Sequence, residues 1–223
     1  MLKADFHMHT SYSPDSEMSP EALVDRCLKV GLNCIAVTDH NTIEGALIVQ
    51  DIAPFTVIIG EEIASAEGEI TGLFLKEAIP RGLSPVDTVK LIKDQGGIVS
   101  IPHPFDRFRG SVISQKALDE ILLYIDIVEV FNSRNNLKAD DRKALHFAQL
   151  HGLLASGVSD AHISFELGKT YVEMPDFNGT PEAFMESLAQ GKIVGKRSTF
   201  LVHVLTTFVK SKKKLNSWIS KET

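Results

Sequence analysis

Residues 2–9 read Leu-Lys-Ala-Asp-Phe-His-Met-His, a short apolar run that ends in two histidines, and this stretch decides the fold. Residues two apart in a strand point to the same face, so His7 and His9 can aim two imidazoles at one point. Imidazole is a common metal ligand. The stretch therefore predicts a first strand with a metal-binding group at its carboxyl end.

Five further apolar runs each end in a group that can bind a metal; they span residues 35–40, 56–62, 98–103, 125–129 and 153–162. Helix-like segments separate many of these runs, and the first shows clear end signals. Ser19 and Pro20 open it, and Gly31 closes it. Alternating strands and helices predict parallel strands covered by helices. Seven or eight strands in 223 residues favour a closed α/β barrel over an open sheet.

A length of 223 residues suits one large domain in preference to two small ones, and a hydrophobic content of 43% is enough for a substantial core. We predict a single domain over residues 1–223, in which about 196–223 form a helical segment with a basic end at 210–214. The formal net charge of −6 argues against a general nucleic-acid coat. No apolar run reaches the roughly 18 residues of a membrane span, and the N-terminus lacks a signal core. We therefore expect a cytoplasmic protein without membrane contact, in which Cys27 and Cys34 are buried free thiols.

The candidate ligands fall at strand ends, where parallel barrels place their active sites. They are His7, His9, His40, Glu62, His103, Asp160 and His162, with Asp15 and Glu69 as further candidates. One tetrahedral ion needs four ligands, so this set predicts two or three divalent ions that share bridging carboxylates. Mixed imidazole and carboxylate ligands suit Mn²⁺, Zn²⁺ or Fe²⁺ better than Mg²⁺ or Ca²⁺.

Such a cluster favours phosphate ester hydrolysis, because the ions generate hydroxide from a bound water and neutralise charge on the phosphate. Arginines follow the fifth and sixth strands and can fork onto phosphate oxygens. We select Arg107 and Arg134 as the catalytic candidates, with Arg109 beside them. The sequence leaves two roles open for Glu129 and Asn132, at the end of the sixth strand. They can support a ligand histidine or make a purely structural hydrogen bond.

The chain resembles the PHP family, the polymerase and histidinol phosphatase domains, over nearly its whole length. The resemblance rests on the segments 5–10 with Ser13 and Asp15, 38–40, 60–62, 103–104 and 159–162. It implies a distorted seven-stranded β/α barrel, a distorted (β/α)7 TIM-like fold, with a trinuclear metal site. The resemblance maps eight residues onto family ligands: His7, His9, Asp15, His40, Glu62, His103, Asp160 and His162.

One position departs from the family pattern. Family members often carry a histidine three residues before the glycine of the fourth strand; here the glycine is Gly72 and the position is Glu69. A carboxylate also binds metal, so the number of ions stays open between two and three. Amidohydrolases share the His-x-His start but usually add a bridging lysine at the fourth strand. Lys76 lacks the expected surroundings, so Glu62 is the bridging candidate and the phosphoester reaction is favoured.

We therefore predict a metal-dependent phosphoesterase that hydrolyses a phosphomonoester or nucleotide through a metal-bound hydroxide. Its partner is a small phosphorylated substrate, a nucleotide or an oligonucleotide end, and the oligomeric state is open. Within this class the alternatives are a 5′–3′ exonuclease or nucleotide bisphosphate phosphatase, and a histidinol phosphatase. The rival from another class is a non-catalytic metal-binding module, which metal content without hydrolysis of any phosphoester would identify.

Overall fold

The computed structural model describes residues 1–198, 206–209 and 211–214. Within these residues nine strands form one sheet. The strands are β1 Leu2–Asp5, β2 Cys34–Val37, β3 Thr56–Ser65, β4 Gly68–Leu73, β5 Ile98–Ile101, β6 Ile127–Asn132, β7 Leu154–Val158, β8 Tyr171–Met174 and β9 Lys192–Val194. The six apolar runs described above correspond to β1, β2, β3, β5, β6 and β7. The sequence also predicts strands over residues 70–75 and 171–173, which correspond to β4 and β8, whereas it does not predict β9.

The sheet curls into a nearly closed, distorted barrel with the strand order β7-β6-β5-β4-β3-β2-β1-β8-β9. Six strands, β1, β2, β3, β5, β6 and β7, run in the same direction. The segments after β1 and β7 meet in a parallel bridge between Met8 and Ala161. Asp5 also accepts a hydrogen bond from the backbone N–H of Ser159 at 3.0 Å. These contacts bring the segment after β7 against β1 and so nearly close the barrel at its carboxyl mouth. The predicted α/β barrel class is confirmed.

The regular alternation breaks between β3 and β4, which form an antiparallel hairpin without an intervening helix. The prediction that all strands are parallel is therefore wrong for β4, and β8 and β9 are also antiparallel to their neighbours. The hairpin turn brings the start of β4 beside the carboxyl end of β3. Glu69 consequently lies at the same mouth as Glu62, whereas Lys76, beyond the far end of β4, lies at the opposite end.

Helices pack around the barrel, and the last of them packs against the side chains that fill it. They are α1 Pro20–Val30, α2 Glu44–Ile52, α3 Pro85–Asp94, α4 Gln115–Ile121, α5 Lys138–His151 and α6 Pro181–Leu188. The predicted end signals are present in α1: the Ser19 hydroxyl accepts from the N–H of Ala22, and Gly31 ends the helix at φ 75°. The predicted terminal helix falls partly outside the described residues; 206–209 and 211–214 are helical.

Apolar side chains fill the barrel and the space under the helices. Inside the barrel, Phe6 packs edge-on against Phe184 of α6, with ring centroids 5.0 Å apart. Cys27 and Cys34 are buried free thiols, as predicted, and burial raises the pKa of each to about 12. Among the described helices none is both long and apolar enough to cross a lipid bilayer.

Candidate metal centre

Four side chains from three strand ends converge at the centre of the carboxyl mouth. His7 and His9 follow β1, Glu62 lies in β3, and Asp160 follows β7. The Nε2 atoms of the two histidines are 3.1 Å apart. Glu62 Oε2 lies 3.3 Å from Nε2 of His7 and 3.4 Å from Nε2 of His9. Asp160 Oδ1 lies 3.7 and 3.6 Å from the same two nitrogens.

This spacing suits one tetrahedral ion. Ligands bound at roughly 2.0–2.1 Å stand about 3.3 Å apart around such an ion. The two imidazole nitrogens lie 3.1–3.7 Å from each other and from both carboxylate oxygens. Asp160 Oδ1 is buried and has no hydrogen-bond partner among the described residues. A buried carboxylate oxygen costs free energy unless it is paired or bound to a metal. The donor set at this position therefore fits a divalent ion.

The other oxygen of Asp160 is held in place by two donors. Asn132 at the end of β6 donates to Oδ2 at 3.1 Å, and the Arg109 guanidinium donates to the same oxygen. Asp160 also has a left-handed backbone, with φ 53°, and His103 shares this feature, with φ 30°. Non-glycine residues of this kind cost on the order of 1–3 kcal/mol each and concentrate at functional sites.

A second ligand group surrounds the other oxygen of Glu62. Oε1 lies 3.0 Å from Nε2 of His103, which follows β5. Glu69 Oε2 lies 3.7 Å from the same nitrogen, and its Oε1 lies 3.8 Å from Nδ1 of His40. Glu62 faces Thr71 and Glu69 faces Ala64 across the hairpin, so both carboxylates project from one face. Glu61 projects from the other face and accepts from the N–H of Ile79, which separates the two neighbours.

A third ligand group lies closer to solvent. Asp15, in the loop after β1, places Oδ2 3.4 Å from Nε2 of His40 and Oδ1 3.4 Å from Nε2 of His162. The stacked rings of His9 and His40 connect this group to the first, with centroids 4.6 Å apart. The structure thus brings all nine predicted ligands together, in three overlapping groups.

Outer residues orient the ligands. Glu129 of β6 receives Nδ1–H of His7 at 2.6 Å and the backbone N–H of His103 at 3.0 Å. Asn132 donates to the same carboxylate. Asp39 accepts from the N–H of Thr10 and from the hydroxyl of Ser13, so it orients the loop rather than the cluster. A side chain at Gly45 would collide with Asp39, because an added Cβ would lie 2.1 Å from Oδ2.

The electrostatics match a cation site. Burial lowers the pKa of His9 to about 3, and the neighbouring His162 and His40 act in the same direction, so His9 offers a neutral imidazole. Burial raises the pKa of Glu69, and the charge of Glu62 raises it further. Asp160 also loses solvation, but Arg109 and then His7 hold its pKa well below its usual range. Glu62 and Glu69 are both buried and place carboxylate oxygens within 4.8 Å of each other, an arrangement that favours a bound cation between them.

A cleft of about 710 Å³ opens directly over the third group and gives solvent access to the cluster. It is lined by Asp15, His40, Glu69, Asp106, Phe108, Arg109, Gly110, Ser111, Arg134, Asn136, Leu137, His162 and Thr207. The structure turns Arg107 away from the cluster: it donates to Asp140 of α5 at 2.8 Å, and its side chain is 60% exposed. We therefore replace Arg107 by Arg109 as the arginine beside the cluster.

Arg134 lies in the cleft wall and contacts a candidate ligand. Its Nη1 lies 2.7 Å from Nδ1 of His162, and its Nε lies 3.3 Å from a carboxylate oxygen of Glu166. Glu166 also accepts from the N–H of His162 at 3.0 Å. Sequence reasoning missed Glu166, because nothing in its short-range pattern distinguishes it from a surface acid in a loop. Of the three remaining histidines, His146 and His151 lie in α5, and His203 lies outside the described residues.

The fold and the site together define the class of this protein. It is an α/β barrel with nine imidazole and carboxylate groups at its mouth. A family model described as PHP domain matches residues 5–139, and one described as PHP-associated matches residues 139–193. The chain therefore belongs to the PHP domain family.

Two relatives come from Methanocaldococcus jannaschii, and both are uncharacterized proteins. One is 42% identical over 146 residues, which cover 59% of this chain and 82% of the relative. The other is 34% identical over 181 residues, which cover 79% of this chain and 72% of the relative. These relatives support the family assignment and carry no information on the reaction.

Solved structures share the fold at low sequence identity. A two-domain protein from Bacteroides vulgatus, containing a predicted PHP-like metal-dependent phosphoesterase, has a TM-score of 0.70 at 20% identity, over 87% of this chain and 65% of that chain. A lesion-specific endonuclease from Pyrococcus furiosus has a TM-score of 0.62 at 17% identity, over 86% and 57%. The chain thus spans just over half the length of this endonuclease.

Proposed function

We propose that this protein is a metal-dependent phosphoesterase that binds two or three divalent ions at the mouth of the barrel. The convergence of His7, His9, Glu62 and Asp160 on one tetrahedral position carries the proposal. Family membership and the phosphoesterase fold of the Bacteroides vulgatus protein support it. Mn²⁺, Zn²⁺ and Fe²⁺ fit the mixed ligand set.

When bound, such ions lower the pKa of a coordinated water towards neutrality and neutralise charge on a phosphate. The chain's own residues orient the reactants. Glu129 fixes the ring of His7, and Asn132 and Arg109 fix Asp160, so the ligands are already in place before substrate arrives. Arg109 uses Nε and Nη2 for Asp106 and Asp160, and a guanidinium has five N–H donors, so a phosphate in the cleft can still be bound.

The cleft supports a small substrate. Its volume of about 710 Å³ falls within the range of pockets that hold small molecules. A phosphomonoester or a mononucleotide fits this space. Phe108 at the cleft wall is 65% exposed, and an aromatic ring beside a phosphate site favours a substrate with a planar base.

The test is a substrate panel with the purified full chain and added Mn²⁺, Zn²⁺ or Fe²⁺. The panel holds an aryl phosphate, histidinol phosphate, nucleoside monophosphates and nucleotide bisphosphates. We expect metal-dependent release of inorganic phosphate from at least one of them, and none from the Asp160→Asn variant. Bound metal without hydrolysis of any phosphoester would instead identify the non-catalytic module.

A second candidate is cleavage at a nucleic-acid end or lesion. The exposed ring of Phe108 and the fold shared with the Pyrococcus furiosus endonuclease support it, although the formal charge of −6 opposes broad nucleic-acid binding. End-labelled single-stranded and duplex oligonucleotides, one duplex carrying an abasic lesion, separate the two candidates. If the phosphodiester bonds of every oligonucleotide stay intact, the nuclease candidate is excluded and only the phosphomonoester reaction remains.

A further inference from the structure

The basic helical segment near the C-terminus reaches back to the loop that carries Asp15. Lys213 Nζ lies 2.8 Å from the backbone oxygens of Ser11 and Ser13, and 2.6 Å from that of Ser16. An ammonium group has three N–H donors, and here it has three carbonyl acceptors. Lys213 is partly buried by these contacts, whereas Lys212 beside it is exposed and pairs with Glu17.

The loop of residues 11–16 is also held by two backbone bonds, from Ser11 N–H to Met18 and from Ser13 N–H to Thr10, and by the side chains of Ser13 and Ser16. Ser13 donates to Asp39, and Ser16 donates to the backbone oxygens of His9 and His162. Asp15 lies between Ser13 and Ser16, and its carboxylate faces His40 and His162. The Lys213 ammonium bonds carbonyls on both sides of Asp15, and so restricts the backbone that carries this carboxylate.

We propose that Lys213 is a positioning residue for the outermost metal position, between Asp15, His40 and His162. The inference rests on the proposed metal centre. By holding three carbonyls of the loop, Lys213 keeps both oxygens of Asp15 directed at the two imidazoles, 3.4 Å from each. The C-terminal segment thereby contributes to the site from outside the barrel, and Thr207 of the same segment lines the cleft.

The sign of the effect separates positioning from simple electrostatics. A lysine near a cation site repels the cation, so removal of its charge alone would tighten metal binding. If Lys213 acts by positioning, its removal weakens binding instead. Loss of an outer partner of a metal ligand typically costs 10- to 100-fold in affinity, and we expect a loss of about tenfold for one ion, at the lower end of that range.

The experiment compares the full-length wild type with Lys213→Met, Lys213→Arg and Lys212→Met. Methionine keeps the apolar stem and removes the three donors. Lys212→Met removes the same charge from the same segment and serves as the matched control. Each protein is titrated with Mn²⁺ alone, and free Mn²⁺ is followed by electron paramagnetic resonance. Hydrogen exchange of residues 11–16, measured by mass spectrometry on the metal-free proteins, reports the loop directly.

We expect Lys213→Met to weaken one Mn²⁺ step about tenfold, leave the remaining steps unchanged and speed exchange in the loop. Lys213→Arg should recover part of the affinity, and Lys212→Met should match the wild type. Unchanged exchange in Lys213→Met, unchanged or tighter Mn²⁺ binding, or equal weakening of every step would overturn the proposal. A wild type that binds no Mn²⁺ contradicts the metal centre itself, and loop exchange then still decides whether Lys213 holds the loop.

Discussion

The cluster has two sides that are built differently. The inner side, His7, His9, Glu62 and Asp160, is fully buried and held by strands and strand ends. The outer side, Asp15, His40 and His162, lies at the floor of the cleft, where Asp15 and His40 are partly exposed and His162 is buried, and its carboxylate comes from a loop. The inner side is supported by Glu129 and Asn132 of β6. The outer side is supported by Glu166, Arg134 and Lys213, which lie in a short 3₁₀ helix, a loop and the C-terminal segment, respectively.

This difference has a physical consequence. Strand residues in a packed barrel have little freedom, so the inner ligands are held at nearly fixed distances. Loops are less stable locally than strands, and functional groups that must admit substrate lie in them. We therefore expect the inner position to bind its ion more tightly, and the outer position to be more sensitive to loop contacts and to substrate.

The largest expected effect comes from the inner side. Asp160→Asn keeps the size of the side chain but removes the charge that faces His7 and His9, so the inner ion is lost. Since bound ions contribute several kcal/mol to phosphate ester hydrolysis, kcat should fall by roughly 10³-fold or more. Bound metal is counted by mass spectrometry of the digested protein. Full metal content with activity within tenfold of wild type would contradict the inner site; far-UV circular dichroism checks the fold.

Asp15→Asn should have a smaller effect, on the order of 10²-fold in kcat, because the inner ligands are left intact. We expect one ion fewer per chain, with the remaining ions bound as in the wild type. Calorimetric titration with Mn²⁺ resolves the separate steps. If Asp15→Asn and Asp160→Asn lose the same ions with the same affinities, the two sides are one cooperative unit and the comparison fails.

The outer partners offer a matched pair, Glu129→Gln on the inner side and Glu166→Gln on the outer side. Each change keeps the shape and removes one negative charge that orients a ligand histidine, so each should weaken metal affinity by about tenfold. The affected step should differ: the tight step for Glu129→Gln, the weak step for Glu166→Gln. Both variants are measured by the same Mn²⁺ titration. Weakening of the same step in both would show that the supports are not separate.

The smallest expected effect concerns the cleft wall. Phe108→Ala removes an exposed ring whose stacking on a base is worth about 1 kcal/mol at the lower end, so KM for a nucleotide should rise about fivefold. KM for an aliphatic phosphomonoester should not change, because it has no ring to stack. Steady-state kinetics on both substrates give the comparison. Leu123→Ala, at an exposed apolar residue outside the cleft, is the control. An equal change for both substrates would remove Phe108 from substrate selection.

The carboxyl ends of the strands could be predicted from the sequence because a local pattern marks each of them. An apolar run followed by His, Asp or Glu predicts a buried strand with a polar carboxyl end, and parallel strands bring those ends together. This is how residues as distant as His7 and Asp160 could be assigned to one place. Glu69 was also assigned to this mouth, on the assumption that its strand is parallel to the others. In the structure β4 is antiparallel, and Glu69 lies at the mouth because β4 starts there.

The tertiary structure alone decided which groups support the cluster. Arg107 and Arg109 are two residues apart in one loop, and only the chain path shows that Arg109 contacts Asp160 while Arg107 pairs with Asp140. Glu166 and Lys213 are likewise defined by contacts across the fold. The sequence by itself determined the strand ends and their ligand chemistry, because periodicity and residue type act locally. Positions of loops and of the C-terminal segment depend on long-range packing, which no local pattern encodes.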